Sequence, residues 1–279
     1  MMTTTQRWFG LGLALLLGAC GGSGTPRENS AVSTTFGYGS PQAATSDQAG
    51  AMGATVSSIE AFRTAPGTGS GLGAADAASV TGALLQGSPI GSFSPAEVGA
   101  TSAAAFDVPA CAVVTSGKVT FNGCRVTVSQ SSGGTSTSGS VTVNGDVSLS
   151  ADLQTLSWDL TYGVGLTMSG TSPLTMSGTS HSAGRVVVTA TTAVGAITSE
   201  VSLTVSAGGQ TVSAAVDESL AFDVTRSDTC ASGVAGGTLE AKRVWVTRPT
   251  GASPADLPDE AARVEWTGCG TATVRLGSR

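Results

Sequence analysis

The sequence predicts an all-β fold: an antiparallel meander forming a sandwich, a barrel or a curled sheet, with a short helix and coil region at its N-terminal side. Three observations lead there. Charged residues make up 11% of the chain and aromatics 5%, both low for a globular protein, so a core of many large side chains cannot be assembled. Val and Thr are abundant instead, and the 39 glycines can serve turns between pleated, half-buried segments. From about Val108 onward, apolar and polar residues alternate in segment after segment at short spacing, with no helical pattern between them.

The first element is a leader. Met1 to Arg7 carry one basic side chain, and Trp8 to Leu17 form a short apolar run rich in leucine. That is the outline of a secretory signal, and it ends in Leu17-Gly18-Ala19-Cys20. Leu17 is too bulky for an A-x-A-like cleavage site, and the run is well short of the ~20 residues a membrane-spanning helix needs. The four residues resemble the lipobox of bacterial lipoproteins, a resemblance confined to residues 1–20. It implies removal of residues 1–19, a diacylglyceryl group on the Cys20 sulfur and acylation of the new amine, with palmitate among the expected acyl groups. Gly21 follows the cysteine, not the Asp that retains lipoproteins on the inner membrane of enteric bacteria. The resemblance therefore implies a lipid-anchored envelope protein, on the outer membrane where a second membrane is present.

Residues 20–45 read as a flexible tether, opening on Gly-Gly-Ser-Gly-Thr-Pro and lacking any apolar period. Residues 46–107 read as coil with short helices on or beside the sheet. Ala49, Met52, Val56 and Ile59 recur at helical spacing between Asp47 and Phe62, and Pro66 to Gly73 break that pattern. A weaker Ala-rich candidate spans Ala74 to Gln86. Ser94-Pro95-Ala96-Glu97 supplies a cap, a proline at the first helical position and a glutamate that can reach back to the cap, predicting a helix to about Ala104.

Residues 108–279 form the β domain. Predicted strands are Ala112–Thr115, Lys118–Phe121, Cys124–Ser129, Thr155–Thr161, Gly165–Ser169, Arg185–Thr192, Glu200–Ser206, Leu220–Thr225, Thr238–Thr247, Arg263–Thr267 and Ala272–Leu276. The clearest hairpin turns at Gly208-Gly209, pairing Val205 with Val212, Leu203 with Ala214 and Val201 with Val216, all on one face. A second is predicted around Asn144-Gly145-Asp146. A three-residue connection there pairs Val143 with Val147 and Val141 with Leu149, whereas a two-residue Asn-Gly turn would split the apolar set between faces. Residues 166–173 (LTMSGTSP) and 174–181 (LTMSGTSH) are a tandem copy. Two copies are too few for a repeat array, so a local duplication that lengthened one hairpin or loop is the expectation.

Five cysteines leave four once Cys20 is set aside. Cys111, Cys124, Cys230 and Cys269 in an exported chain predict two disulfides. Three connectivities are open; Cys111–Cys124 and Cys230–Cys269 are favoured because each pair falls within one candidate supersecondary unit. One histidine in the whole chain and no C-x₂-C spacing argue against a metal site, and no cofactor is expected.

Chemistry is sparse. Without residues 1–19 the chain has twelve Lys and Arg, Arg7 being lost, against nineteen Asp and Glu, a charge of about −7. With no basic cluster, nucleic acid is an unsuitable partner. His181 is the only imidazole, and no G-x-S-x-G elbow occurs. Asp152 with Asp159, or Glu218 with Asp223, are the carboxylate pairs a glycosidase-like mechanism would use, though acidic residues on strands ordinarily keep a sheet soluble. Trp158, Trp245 and Trp266 lie in alternating stretches as core residues, or as an adhesive platform if exposed together. The expectation is a membrane-anchored, non-catalytic envelope lipoprotein of structural or adhesive type, its partners being the membrane through Cys20 and a surface partner or hydrophobic ligand. The alternatives are a carrier of lipid or another hydrophobic ligand and, less favoured, an envelope hydrolase.

Overall fold

The alternating segments join into one sheet. The structure, a computed structural model, describes residues 29–43 and 111–279 apart from short breaks at 116, 133–134, 153, 171–172, 228, 231–233 and 270. In chain order the elements are α1 (Ser30–Ser33), β1 (Gly37–Tyr38), β2 (Gln42–Ala43), β3 (Ala112–Thr115), β4 (Lys118–Ser132), β5 (Thr135–Leu149), β6 (Thr155–Ser169), β7 (Leu174–Val188), β8 (Thr192–Ala207), β9 (Gln210–Arg226), β10 (Val234–Thr247), β11 (Glu260–Gly268) and β12 (Thr271–Ser278). Strands β3 to β12 pair strictly in sequence order, β1 and β2 add to β12, and the twelve-stranded sheet does not close into a barrel. The fold is the expected antiparallel meander, as one open sheet.

The strands are longer than the sequence pattern predicts. Segments 155–161 and 165–169 are parts of β6, and 118–121 and 124–129 are parts of β4, which bulges between Phe121 and Cys124. The hairpin at Gly208-Gly209 has the predicted register: Val205 faces Val212, Leu203 faces Ala214 and Val201 faces Val216. The turn predicted at 144–146 does not form. Asn144-Gly145-Asp146 run through the middle of β5, flanked by β4 and β6, with Gly145 at φ 110°. Val141, Val143, Val147 and Leu149 are odd-numbered, so a straight strand keeps them on one face as well as the predicted loop would. The tandem copies stand as two arms of one hairpin, with Leu166 opposite Met176 and Met168 opposite Leu174.

Even-numbered residues of β6, β7, β9 and β11 and odd-numbered residues of β5, β8 and β10 share one apolar face, because the registers of β5 through β9 are unbroken. One cluster on it gathers Val186, Ile197, Leu220, Phe222, Leu239, Val264 and Trp266, and another Val119, Phe121, Val143, Val147, Leu160 and Tyr162; Trp158 packs against both. Each such Val or Leu contributes ~1.5–3 kcal/mol on burial. The other face is mostly polar, apart from the patch where residues 29–43 lie on it and an outward pair of Val187 and Val194.

That segment, read from the sequence as part of a flexible tether, is docked on the sheet. Asn29 caps α1 by accepting from the N–H groups of Ala31 and Val32, while its own amide donates to the carbonyls of Ser199 and Glu218. Asp217, buried on the polar face, accepts from the Ser30 N–H at 2.8 Å and from its hydroxyl at 2.7 Å. Ala31 and Phe36 then pack on Val244 and Ala261, and Tyr38 donates to Glu240 at 2.5 Å. Burial and that acceptor push the Tyr38 phenol above its usual range.

Cys111 is bonded to Cys124 and Cys230 to Cys269, with Cα separations of 5.0 and 5.2 Å. The first bridge ties the start of β3 to β4; the second ties the β9–β10 connection to the β11–β12 connection. The helices predicted between residues 47 and 104, and the leader with Cys20, lie outside the described residues. Among the described residues no helix is long and apolar enough to cross a membrane.

Candidate functional site

The apolar face divides into two levels. Near the β5–β6, β7–β8, β9–β10 and β11–β12 connections it is densely packed, with Val188, Ala193, Val224, Val264 and Trp266 all buried. Toward the tips of the β6–β7 and β8–β9 hairpins the same face opens. Met168, Leu174, Met176, Leu203 and Val205 are only half-buried, and Val212 is 39% exposed. These residues sit side by side across four strands, since Met168 pairs with Leu174, Met176 with Val205 and Val205 with Val212. The result is a contiguous apolar strip that continues the packed core without being fully covered.

A polar row marks the boundary between the levels. Cross-strand registry runs Leu160, Ser182, Ser199, Glu218, Arg243, Glu260 and Ser278, one residue per strand from β6 to β12, all on the apolar face. Glu218 is nearly fully buried, and its Oε1 receives the Arg243 guanidinium through Nε at 2.7 Å and Nη2 at 2.6 Å. Ser182 accepts from the Trp158 indole at 3.1 Å. Ser199, 2% exposed, has a buried hydroxyl with no hydrogen-bond partner. One step toward the tips, Tyr162 lies opposite Ser180, and burial raises its phenol pKa. A buried ion pair costs desolvation that only close, well-satisfied geometry offsets, so its placement inside an apolar face is the most unusual chemistry in the sheet.

The residues singled out from sequence are distributed differently. Glu218 and Asp223 are five apart on β9, so they point to opposite faces and cannot flank one bond. Asp152 sits in the β5–β6 turn, where the Ser150 hydroxyl and then the Gln154 N–H lower its pKa. Asp159 is exposed on the polar face and meets His181 Nε2 at 2.9 Å. Trp266 is buried, Trp245 is half-buried on the same apolar face, and Trp158 bridges the two clusters. The three are therefore not brought together as an outward platform. No group of three His, Cys, Asp or Glu is placed to hold a metal ion among the described residues.

Sequence reasoning weighed Glu218 only as half of a carboxylate pair and passed over Ser199 and Arg243. The signal was parity: Glu218 shares the even face of Leu220, Phe222 and Val224, where a charge needs a partner. No family model, curated protein or solved structure matches the chain.

Proposed function

We propose that the mature protein is a non-catalytic envelope lipoprotein, held to a membrane by acyl chains on Cys20, whose sheet binds the hydrocarbon portion of an amphiphilic ligand. The observation that carries the reading is the half-open apolar strip from Met168 to Val212, continuous with the packed core. Binding sites for such ligands are apolar surfaces with a few placed polar groups, and the row from Ser182 to Glu260 stands at the edge of this one. Two disulfides suit an oxidising compartment. The mature charge of about −7 gives little attraction to anionic head groups, so membrane attachment rests on the acyl chains.

A purely structural or adhesive domain is the second reading, supported by the dense packing of the lower half of the apolar face. Mass spectrometry of the native protein separates the two. The carrier reading expects an extractable hydrophobic ligand in near-stoichiometric amount, and uptake of the apolar dye N-phenyl-1-naphthylamine by the emptied protein. Neither extractable ligand nor dye uptake would leave the structural reading. Changing Cys20→Ser is expected to move the protein from the detergent to the aqueous phase; unchanged partitioning would sink the anchor.

A further inference from the structure

We infer that the mature protein pairs with a second copy of itself through the outer edge of β4, forming a closed dimer about a two-fold axis. The inference does not depend on the carrier reading. An open sheet has two edges, and the backbone N–H and C=O groups along each invite another strand. One edge is taken: β1 and β2 lie along β12, and the Gly39 N–H donates to the Leu276 carbonyl at 2.9 Å. At the other, β3 covers β4 only over Lys118–Phe121. Among the described residues no strand pairs with the outer side of β4 from Asn122 to Ser132.

That stretch lacks the usual defences of an exposed edge. It holds one charged residue, Arg125, and no proline, and its register with β5 is unbroken from Cys124 to Ser132. The direction of its bonding groups follows from β5. There the Leu149 N–H donates to the Gly117 carbonyl, so by antiparallel alternation the odd-numbered residues of β5 turn their groups toward β4. Their partners Cys124, Val126 and Val128 face β5 in return. The N–H and C=O groups of Arg125, Thr127 and Ser129 are left pointing outward, and all three residues are exposed.

A second copy suits this edge. With β12 occupied, the edge can meet only its own likeness, which closes the assembly at two. In each copy β3 stops the pairing at Phe121 and β4 ends at Ser132. The longest overlap therefore sets Asn122 opposite Ser132 and puts Thr127 on the axis. Arg125 then faces Ser129 of the second copy and Val126 faces Val128, so no like charges meet. An axis relating antiparallel neighbours is normal to the sheet and preserves its faces. Residues 29–43 of both copies thus lie on one side, and both Cys20 anchors, as proposed, can enter one membrane, where tethering raises the effective concentration for pairing.

Sedimentation velocity on the full mature chain in its Cys20→Ser form tests this. A concentration-dependent dimer with no larger species is expected. Thr127→Pro removes an outward N–H that β5 does not use. The urea midpoint, read where the unchanged protein is monomeric, should hold while the dimer's dissociation constant rises about tenfold. Thr127→Cys sets two thiols across the axis at a Cα spacing of about 5.5 Å, within disulfide range, and should give a covalent dimer on a non-reducing gel. Ser131→Cys, whose two copies would stand about 27 Å apart at ~3.4 Å per residue, should not. A monomer at every concentration, equal cross-linking at both positions, or growth beyond two copies overturns the dimer. So does a monomeric protein whose urea midpoint falls with Thr127→Pro, which would give the edge to the chain's own residues ahead of Cys111.

Discussion

Ser199 shows how much one atom can reveal on an otherwise apolar face. Its hydroxyl is buried without a partner, and an unsatisfied buried polar group costs about 1–3 kcal/mol. Ser199→Ala should therefore stabilise the ligand-free protein by about 1 kcal/mol, read as a rise in the urea midpoint at unchanged slope. A fall in the midpoint would mean that the hydroxyl is satisfied. Asp217 is the opposite case, a buried carboxylate whose Oδ2 accepts twice from Ser30. Asp217→Ala should cost about 1.5–3 kcal/mol and speed proteolytic cleavage within residues 29–43 while β4 to β10 stay protected. Part of this was readable from residue types: Asn29 before a short Ser-Ala-Val-Ser run is a capping signal. Its docking was not readable, because Asp217 and Ser30 lie 187 residues apart.

The hairpin from Glu200 to Val216 was legible because turn chemistry and face agreed. Gly208 and Gly209 both take positive φ, at 57° and 79°, as a two-residue hairpin turn demands. Asn144-Gly145 carries the same kind of turn signal and yet runs through a strand. Even spacing among Val141, Val143, Val147 and Leu149 allowed both outcomes, and pairing on both sides decided it, with Phe121 and Leu160 each opposite Gly145. The glycine is nonetheless required, since a Cβ there would strike the Asp159 carbonyl. Gly145→Ala is expected to destabilise the sheet by about 1–3 kcal/mol. Gly165→Ala on β6, where a Cβ meets nothing within 4 Å, should be neutral or gain up to about 1 kcal/mol. Thermal denaturation of the two variants compares them directly, and equal losses would contradict the close approach at Gly145. Strand length was underestimated for a related reason: stretches such as Gly178 to Gly184 hold little apolar material, and their neighbours' backbones complete the ladder.

At the scale of the whole molecule, the cysteine pairing was legible from position and the long sheet from periodicity. The polar row was not, because seven strands had to be brought into registry before its members became neighbours. The disulfides bracket that sheet at sequence separations of 13 and 39. In the chain-entropy model the longer loop confers about 4 kcal/mol and the shorter about 3. Replacing Cys230 and Cys269 together by Ala should thus lower stability by about 1 kcal/mol more than replacing Cys111 and Cys124, as chemical denaturation would measure. The reverse order would show that strain or residual unfolded structure dominates. The docked N-terminal segment also revises the tether. Nine residue steps separate Cys20 from Asn29, a reach of no more than about 32 Å, so an acyl anchor at Cys20, as proposed, would hold the polar face of β8 and β9 close to its membrane.

Asn29 grips the carbonyls of β8 and β9 in the interior of the sheet, while β1 and β2 lie along its last strand. A tug on the N-terminus thus meets the centre of the fabric before it can unzip the hem: Asn29 and Ser30 must let go first, and only afterwards does the load reach the short pairings with β12. In a single-molecule stretching trace this ordering would appear as an early rupture of the clasp, lowered by Asp217→Ala, ahead of the main unravelling.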